Sequence, residues 1–444
     1  MILKKKLLYV SFILVALSFS ISPTFANPPD SGPVRQSENT KLKNGINVIL
    51  DLDPSSLLTA IQIWISVGSV DEDETNSGIS HFIEHTIFKG TKTKTQKEIA
   101  PEIEKYGGII NAATSKDYTF FYTLITSSNS LKALEILSDV VLNPEFPEQE
   151  VEKERQVVIE EIKRKDDNPQ SQLFEEFYSQ VYRESPYASR VIGNEDIILG
   201  LKRVDLLAFH NKFYTSNNIF VVVTGNFDRD KVLELVEKYF GGLQKGKKPK
   251  NKLLMYRPKY KKEHAKKIIK RDVAQGYVIM GFPAASINSD EQYSLDLASY
   301  ILGAGRACRL NKRLVEQSKL ALSVSCSFSS KKGPGLFNVY GVCDPEKAPE
   351  LSNRILLELL DLSINPVSEE ELNRAKTLLL RDKLYERQTP DGRAGELGFY
   401  IVLGNGAISE DYVSKVKEVK AKDIKKVISK YLVFPNMPTV IMTP

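Results

Sequence analysis

The segment His81-Phe82-Ile83-Glu84-His85 sets two imidazoles four residues apart, with a carboxylate just before the second. In a helix, positions i and i+4 share a face, so both rings can reach one ion while Glu84 lies beside it. Zinc accepts two histidines and a carboxylate, and keeps a fourth position for water. The metal acidifies that water and polarises a bound carbonyl, and a nearby carboxylate takes and passes the proton. The order H-x-x-E-H reverses the commoner zinc-binding order H-E-x-x-H. Only four histidines occur in the chain, which makes a pair at this spacing hard to read as chance. The other two carry no pattern: His210 reads as packed or surface structure ahead of Tyr214, and His264 as solvated.

A third ligand has to be acidic and has to come from rigid structure. In the helix beginning near Glu148, Val151, Glu154, Val158 and Glu161 follow the spacing of one helical face. Two carboxylates therefore share a stripe with valines expected to be buried. A buried carboxylate is costly unless something positive receives it, and a divalent cation would. Glu152 and Glu160 fit a solvent-facing stripe instead. Periodicity does not decide which of Glu154 and Glu161 binds metal.

The elements that must position these residues read as an α+β pattern. Two strands lie between Gly45 and Val67, with Ile61, Ile63, Ile65 and Val67 alternating. A helix follows around Ser80, then a strand from Ile109 to Ile125, then helices over Ser130–Leu142 and Glu148–Lys165. Further on come helical stretches near 170–182 and 204–213, a buried strand at Ile219–Val223, and a helix ending at Gly241-Gly242. The second half looks like a degraded copy of the first. Tyr118 to Ile162 and Leu336 to Lys383 run alike, with Asn365-Pro366 matching Asn143-Pro144. The copy has no counterpart to the histidine pair. These features predict two homologous lobes, each a mainly antiparallel sheet with packed helices, facing each other across a mobile basic linker.

Residues 1–26 are expected to be a signal peptide: a basic start, an apolar run from Leu7 to Ile21, and Thr24-Phe25-Ala26 before the cut. An uncleaved membrane anchor is the alternative. The mature chain is expected in the periplasm or secreted, without stable membrane insertion. The zinc-bearing lobe is expected over 27–244, the linker over 245–267 and the degenerate lobe over 268–444. The lysine-crowded linker reads as a solvated connector before it reads as an anionic docking strip. Without Lys4, Lys5 and Lys6 the formal charge of +5 drops to about +2, which excludes nucleic acid as the main partner. Three cysteines are no disulfide framework, although Cys326 and Cys343 fall in neighbouring strand-like runs and could pair.

His81 to His85, Phe88-Lys89-Gly90-Thr91 and Glu154-Arg155-Gln156-Val157-Val158-Ile159-Glu160-Glu161 resemble the insulinase/pitrilysin family. The likeness is nearest to its bacterial and mitochondrial-processing-peptidase-like branch. Val67-Gly68-Ser69 with Glu72, Gly107-Gly108, Asn111-Ala112 and Tyr214 ahead of Gly225-Asn226 support it. The resemblance implies one zinc ion per chain held by His81, His85 and Glu161. It implies Glu84 as general base and Glu154 as the carboxylate orienting a ligand. It further implies two lobes closing over a chamber and extended peptides bound at a sheet edge, here Gly108–Thr114 with Asn111 as the contact.

Complete enzymes of the family place an Arg and a Tyr from the second lobe over the substrate carbonyl as oxyanion donors. Aligning Arg309-Leu310, Glu316 and Ser323-Val324 puts Val315 and Leu322 at those positions, and neither can donate a hydrogen bond. Arg309 and Arg313 remain as imperfect substitutes. The expectation is therefore a zinc endopeptidase subunit whose homologous, zinc-free partner supplies the donors. A weakly active homodimer and a non-catalytic scaffold are the alternatives.

Overall fold

A computed structural model describes residues 37–247, 260, 265–404, 406, 408–432 and 435–444. The predicted leader 1–26, linker residues 248–259 and 261–264, and with them His264, lie outside the described residues.

The first half begins with β1 (Glu38–Lys41), β2 (Asn47–Leu52), β3 (Leu58–Ile65), α1 (Ile79–Thr86) and α2 (Gln96–Lys105). Then come β4 (Ile109–Thr114), β5 (Thr119–Thr126), α3 (Ser130–Leu142), α4 (Glu148–Asp167) and α5 (Pro169–Val181). It ends with α6 (Glu195–Gly200), α7 (Arg203–Phe213), β6 (Ile219–Gly225) and α8 (Arg229–Phe240). The second half holds β7 (Lys266–Lys270), β8 (Gly276–Ala284), α9 (Glu291–Gly303), β9 (Ser323–Ser329) and β10 (Gly335–Cys343). After these come α10 (Ala348–Ile364), α11 (Glu369–Glu386), α12 (Pro390–Val402), α13 (Ile408–Glu418), α14 (Ala421–Tyr431) and β11 (Thr439–Thr443).

The first sheet has the order β1-β2-β6-β3-β5-β4 and the second β7-β11-β8-β10-β9. Leaving out β1, the two orders correspond strand for strand. Each contains one parallel pair, β2 with β6 and β7 with β11, and is antiparallel elsewhere. The fold is thus a duplicated α+β lobe, as the paired Asn-Pro turns suggest. The single strand expected over Ile109–Ile125 is two strands, because Ser115-Lys116-Asp117-Tyr118 closes a tight turn with Ser115 N–H on the Tyr118 carbonyl.

The two halves pack directly on each other. β3 is buried on both faces: Ile61, Ile63 and Ile65 enter the first lobe's core, whereas Ala60 and Trp64 enter a core shared with second-lobe helices. Helix α12, from the second half, covers that outer face of the first sheet. Gly398 lies so close to Trp64 that a Cβ there would stand 2.1 Å from the indole nitrogen. Reciprocally, α5 from the first half lays Leu173, Phe177 and Val181 on Ile279, Leu336, Val440 and Met442 of the second sheet. Burying three such side chains stabilises the contact by roughly 5–9 kcal/mol. Helix exchange fixes the lobes to one another.

In the second sheet Cys326 stands opposite Val339, four residues short of Cys343 on β10. That offset is about 13 Å along a strand, more than twice the Cα separation a disulfide spans. All three cysteines are free.

Candidate metal centre

Helix α1 starts at Gly78, whose φ of +91° suits glycine and whose missing side chain lets Gly193 approach. Ile79, Phe82, Ile83 and Thr86 are buried and seat the helix. The i, i+4 geometry then turns His81 and His85 toward α4. On α4, Val151, Val158, Ile159 and Ile162 are buried, Glu154 and Glu161 are half-buried, and Glu152 and Glu160 are exposed. The two carboxylates thus lie on the half-buried margin of the apolar stripe.

Glu161 Oε2 is 3.7 Å from His81 Nε2 and 3.4 Å from His85 Nε2. One ligand atom from each of the three residues lies within 4.8 Å of the others, a grouping unique among the described residues. Donors held at 2.0–2.1 Å on a tetrahedron stand about 3.3 Å apart, so two of these distances already fit a zinc ion. Glu154 does not join the cluster. Its Oε2 lies 3.4 Å from His85 Nδ1, on the far side of the ring, and its Oε1 is 2.7 Å from Lys89 Nζ. With Nδ1–H donating to Glu154, the lone pair of His85 is at Nε2, where Glu161 waits. Glu161 repeats the pattern, with Oε2 on the imidazoles and Oε1 3.1 Å from Lys165 Nζ. His81 Nδ1 is buried and has no hydrogen-bond partner.

The electrostatics keep donors in metal-ready form. Burial, helped by neighbouring His85, holds His81 well below its ordinary pKa and therefore neutral. Burial pushes Glu161 up, but the imidazoles and Lys165 outweigh it and leave the carboxyl below its usual value. Glu154 behaves alike, with His85 and Lys89 overcoming burial. Glu84 is different: burial dominates and raises its carboxyl above the usual range. It sits beside the cluster on α1, where Thr114 at the end of β4 packs near it.

Among the described residues β4 pairs only with β5, and its other edge has no strand beside it. Asn111 is exposed on it, and its Oδ1 accepts the Ala112 N–H at 2.8 Å, a main-chain donor of the kind an added strand would use. His210 is packed structure: buried, stacked on Tyr214 at 4.1 Å, with Nε2 2.8 Å from the Val141 carbonyl. In the second lobe Val315 is half-buried in a wide turn of helix at Asn311–Gln317, and Leu322 is 54% exposed. Arg309 grips Glu371 at 2.6 and 2.9 Å and reaches Asp361; Arg313 is bonded to Glu358 and Asp361.

Three supports had no role assigned from the sequence, although Glu72 stands among the residues that carry the family resemblance. Lys89 and Lys165 neutralise the two carboxylates; the first stands inside the quoted Phe88-Lys89-Gly90-Thr91, and the second lies four residues after Glu161. Glu72 bridges the Gly78 and Ser80 N–H groups at 2.7 and 2.9 Å and so caps α1 from outside it.

Residues 47–195 match the family model described as insulinase (peptidase family M16), and residues 200–379 match that of the peptidase M16 inactive domain. The chain is 33% identical over 402 residues to an uncharacterised zinc protease of Rickettsia felis, spanning 90% of this chain and 95% of that protein. A probable mitochondrial-processing peptidase subunit beta of Arabidopsis thaliana is 25% identical over 88% of this chain and 76% of its own length. Among solved structures, a protease from Helicobacter pylori superposes with a TM-score of 0.85 at 27% identity, over 92% of this chain and 100% of that one.

Proposed function

The chain belongs to the insulinase family, peptidase family M16, and on that premise we propose that it is a zinc-dependent endopeptidase acting on extended peptides. The convergence of His81, His85 and Glu161 beside Glu84 carries this reading. A bound zinc ion would supply Lewis acidity to the scissile carbonyl and to a water molecule. Glu84 takes a proton from the attacking water as its oxygen adds to the carbonyl carbon. It returns that proton to the amide nitrogen as the C–N bond breaks. Glu154 sets the His85 tautomer, and Lys89 and Lys165 hold the two α4 carboxylates in place. The open edge of β4 takes the substrate backbone as an added strand, with Asn111 yielding the Ala112 N–H.

We further propose that the active species contains a second, homologous chain without the metal site. Its support is the emptied donor pair at Val315 and Leu322, together with the subunit status in the name of the Arabidopsis relative. A homodimer is the competing form. The basic-then-apolar start of the sequence supports a location outside the cytoplasm. Among the described residues no helix is long and apolar enough to cross a membrane.

The direct test is metal analysis of the purified protein beside cleavage of an unfolded peptide. One zinc per chain is expected, with cleavage lost to a chelator and restored by zinc; undiminished cleavage by metal-free protein would refute the proposal. Glu154→Ala is expected to weaken zinc binding about 10–100-fold, because His85 loses its orienting acceptor. Competition with a chromophoric chelator reads that change.

A further inference from the structure

The tip of the β9–β10 hairpin, residues 330–334 of the second lobe, inserts beside the loop that leads into α1. Lys332 Nζ donates to Ser66 Oγ at 2.5 Å and to the Asp117 carbonyl at 2.9 Å, and its N–H lies 3.3 Å from Asp117 Oδ2. Tyr187 OH donates to Asp117 Oδ1 at 2.8 Å and accepts the Gly333 N–H at 2.9 Å, which ties down the same tip. Asp71 and Asp117 are the carboxylates whose charges act on this lysine. Asp71 Oδ2 accepts the Gly68 N–H at 3.1 Å, and the Val70 N–H bonds the Lys116 carbonyl, which shapes the loop 68–72. The next side chain, Glu72, caps the first turn of α1 through Gly78 and Ser80.

Carboxylates in a poorly solvated site repel one another unless a cation offsets them. Burial has raised Asp71 to about 6 and Glu72 to about 7, and the Lys332 charge acts against this at Asp71. Lys116 and Lys331 lie over the Tyr178 ring, and Lys116 donates to the Ser189 carbonyl while its charge acts on Asp117 and Glu72. Lys332 is the lysine that bonds to Ser66 and Asp117.

We infer that Lys332, supplied by the lobe without a metal motif, is a positioning residue for the metal-bearing helix of the other lobe. It bonds Ser66 and Asp117, the adjoining Ser115 and Lys116 carbonyls hold the 68–72 loop through the Ser69 and Val70 N–H groups, and Glu72 of that loop holds the start of α1. The inference rests on the metal-centre reading for its functional consequence, but not for its structural one.

The experiment compares Lys332→Met, Lys332→Arg and Lys332→Met/Asp71→Asn with the parent protein, using zinc alone as ligand. In Lys332→Met, zinc affinity is expected to fall about tenfold, at the low end for groups acting behind the ligands. In metal-free protein, hydrogen exchange at the Gly78 and Ser80 amides is expected to quicken by roughly tenfold as the cap loosens. Lys332→Arg and the double variant, which removes the uncompensated charge, should recover both properties to within about twofold of the parent. Unchanged exchange in Lys332→Met overturns the inference, as does a loss that neither Arg nor Asp71→Asn restores. A parent protein that binds no zinc sinks the metal-centre reading instead, and the exchange measurement still decides the role of Lys332.

Discussion

Glu84→Gln is expected to slow peptide hydrolysis by about 10²–10⁴-fold while leaving one zinc bound per chain. The substitution keeps the size and hydrogen-bonding shape of the side chain and removes only its ability to take a proton. Glu84 lies outside the cluster of ligand atoms formed by His81, His85 and Glu161, so zinc affinity should stay within about threefold of the parent. A burden on folding is also unexpected, since burial already disfavours the charged form of this carboxyl. The comparison needs two numbers from one preparation, the cleavage rate of an unfolded peptide and the zinc content. Parent-like cleavage by the zinc-loaded variant would remove Glu84 as the base, and lost zinc would move it into the ligand shell.

The histidine pair and the acidic stripe were legible because a helix brings i, i+3 and i+4 residues together whatever surrounds it. The choice between Glu154 and Glu161 was not. It depends on how α4 is offset along α1, a relation between two helices that neither one's periodicity contains; the family resemblance supplied it. The duplication was legible through Asn143-Pro144 and Asn365-Pro366, which end equivalent helices in both halves. The exchange of α5 and α12 was hidden, because an apolar stripe such as Leu173, Phe177 and Val181 does not say which sheet will cover it. β3 carried a partial sign of it: Ala60 and Trp64 interleave with the isoleucines, and a strand apolar on both faces needs a layer on each. The turn at Ser115–Tyr118 was missed because strand-forming residues flank it on both sides. Lys332 lies more than 200 residues from Glu72 in sequence, beyond the reach of any local pattern.

Mixing the chain with a homologous one that carries an Arg and a Tyr at the positions of Val315 and Leu322 is expected to raise cleavage about 10²–10³-fold over the chain alone. One oxyanion donor contributes roughly 2.7–4 kcal/mol to the rate. Arg309 is not free to supply it: its buried guanidinium is held by two half-buried carboxylates, and withdrawing it would leave those charges unpaired. Its partners here are Glu371 and Asp361, and Arg309 holds Glu371 down to a pKa of about 2. Arg313 is tied likewise to Glu358 and Asp361. Leu322, which the family alignment sets at a donor position, is exposed and apolar just ahead of β9. Native mass measurement beside the kinetics separates the outcomes. A purified homodimer that cleaves as fast as any mixed assembly would show that two copies suffice. A mixed assembly that is faster, and that loses its gain when the partner's Arg or Tyr is removed, assigns the missing half of the site to the second chain.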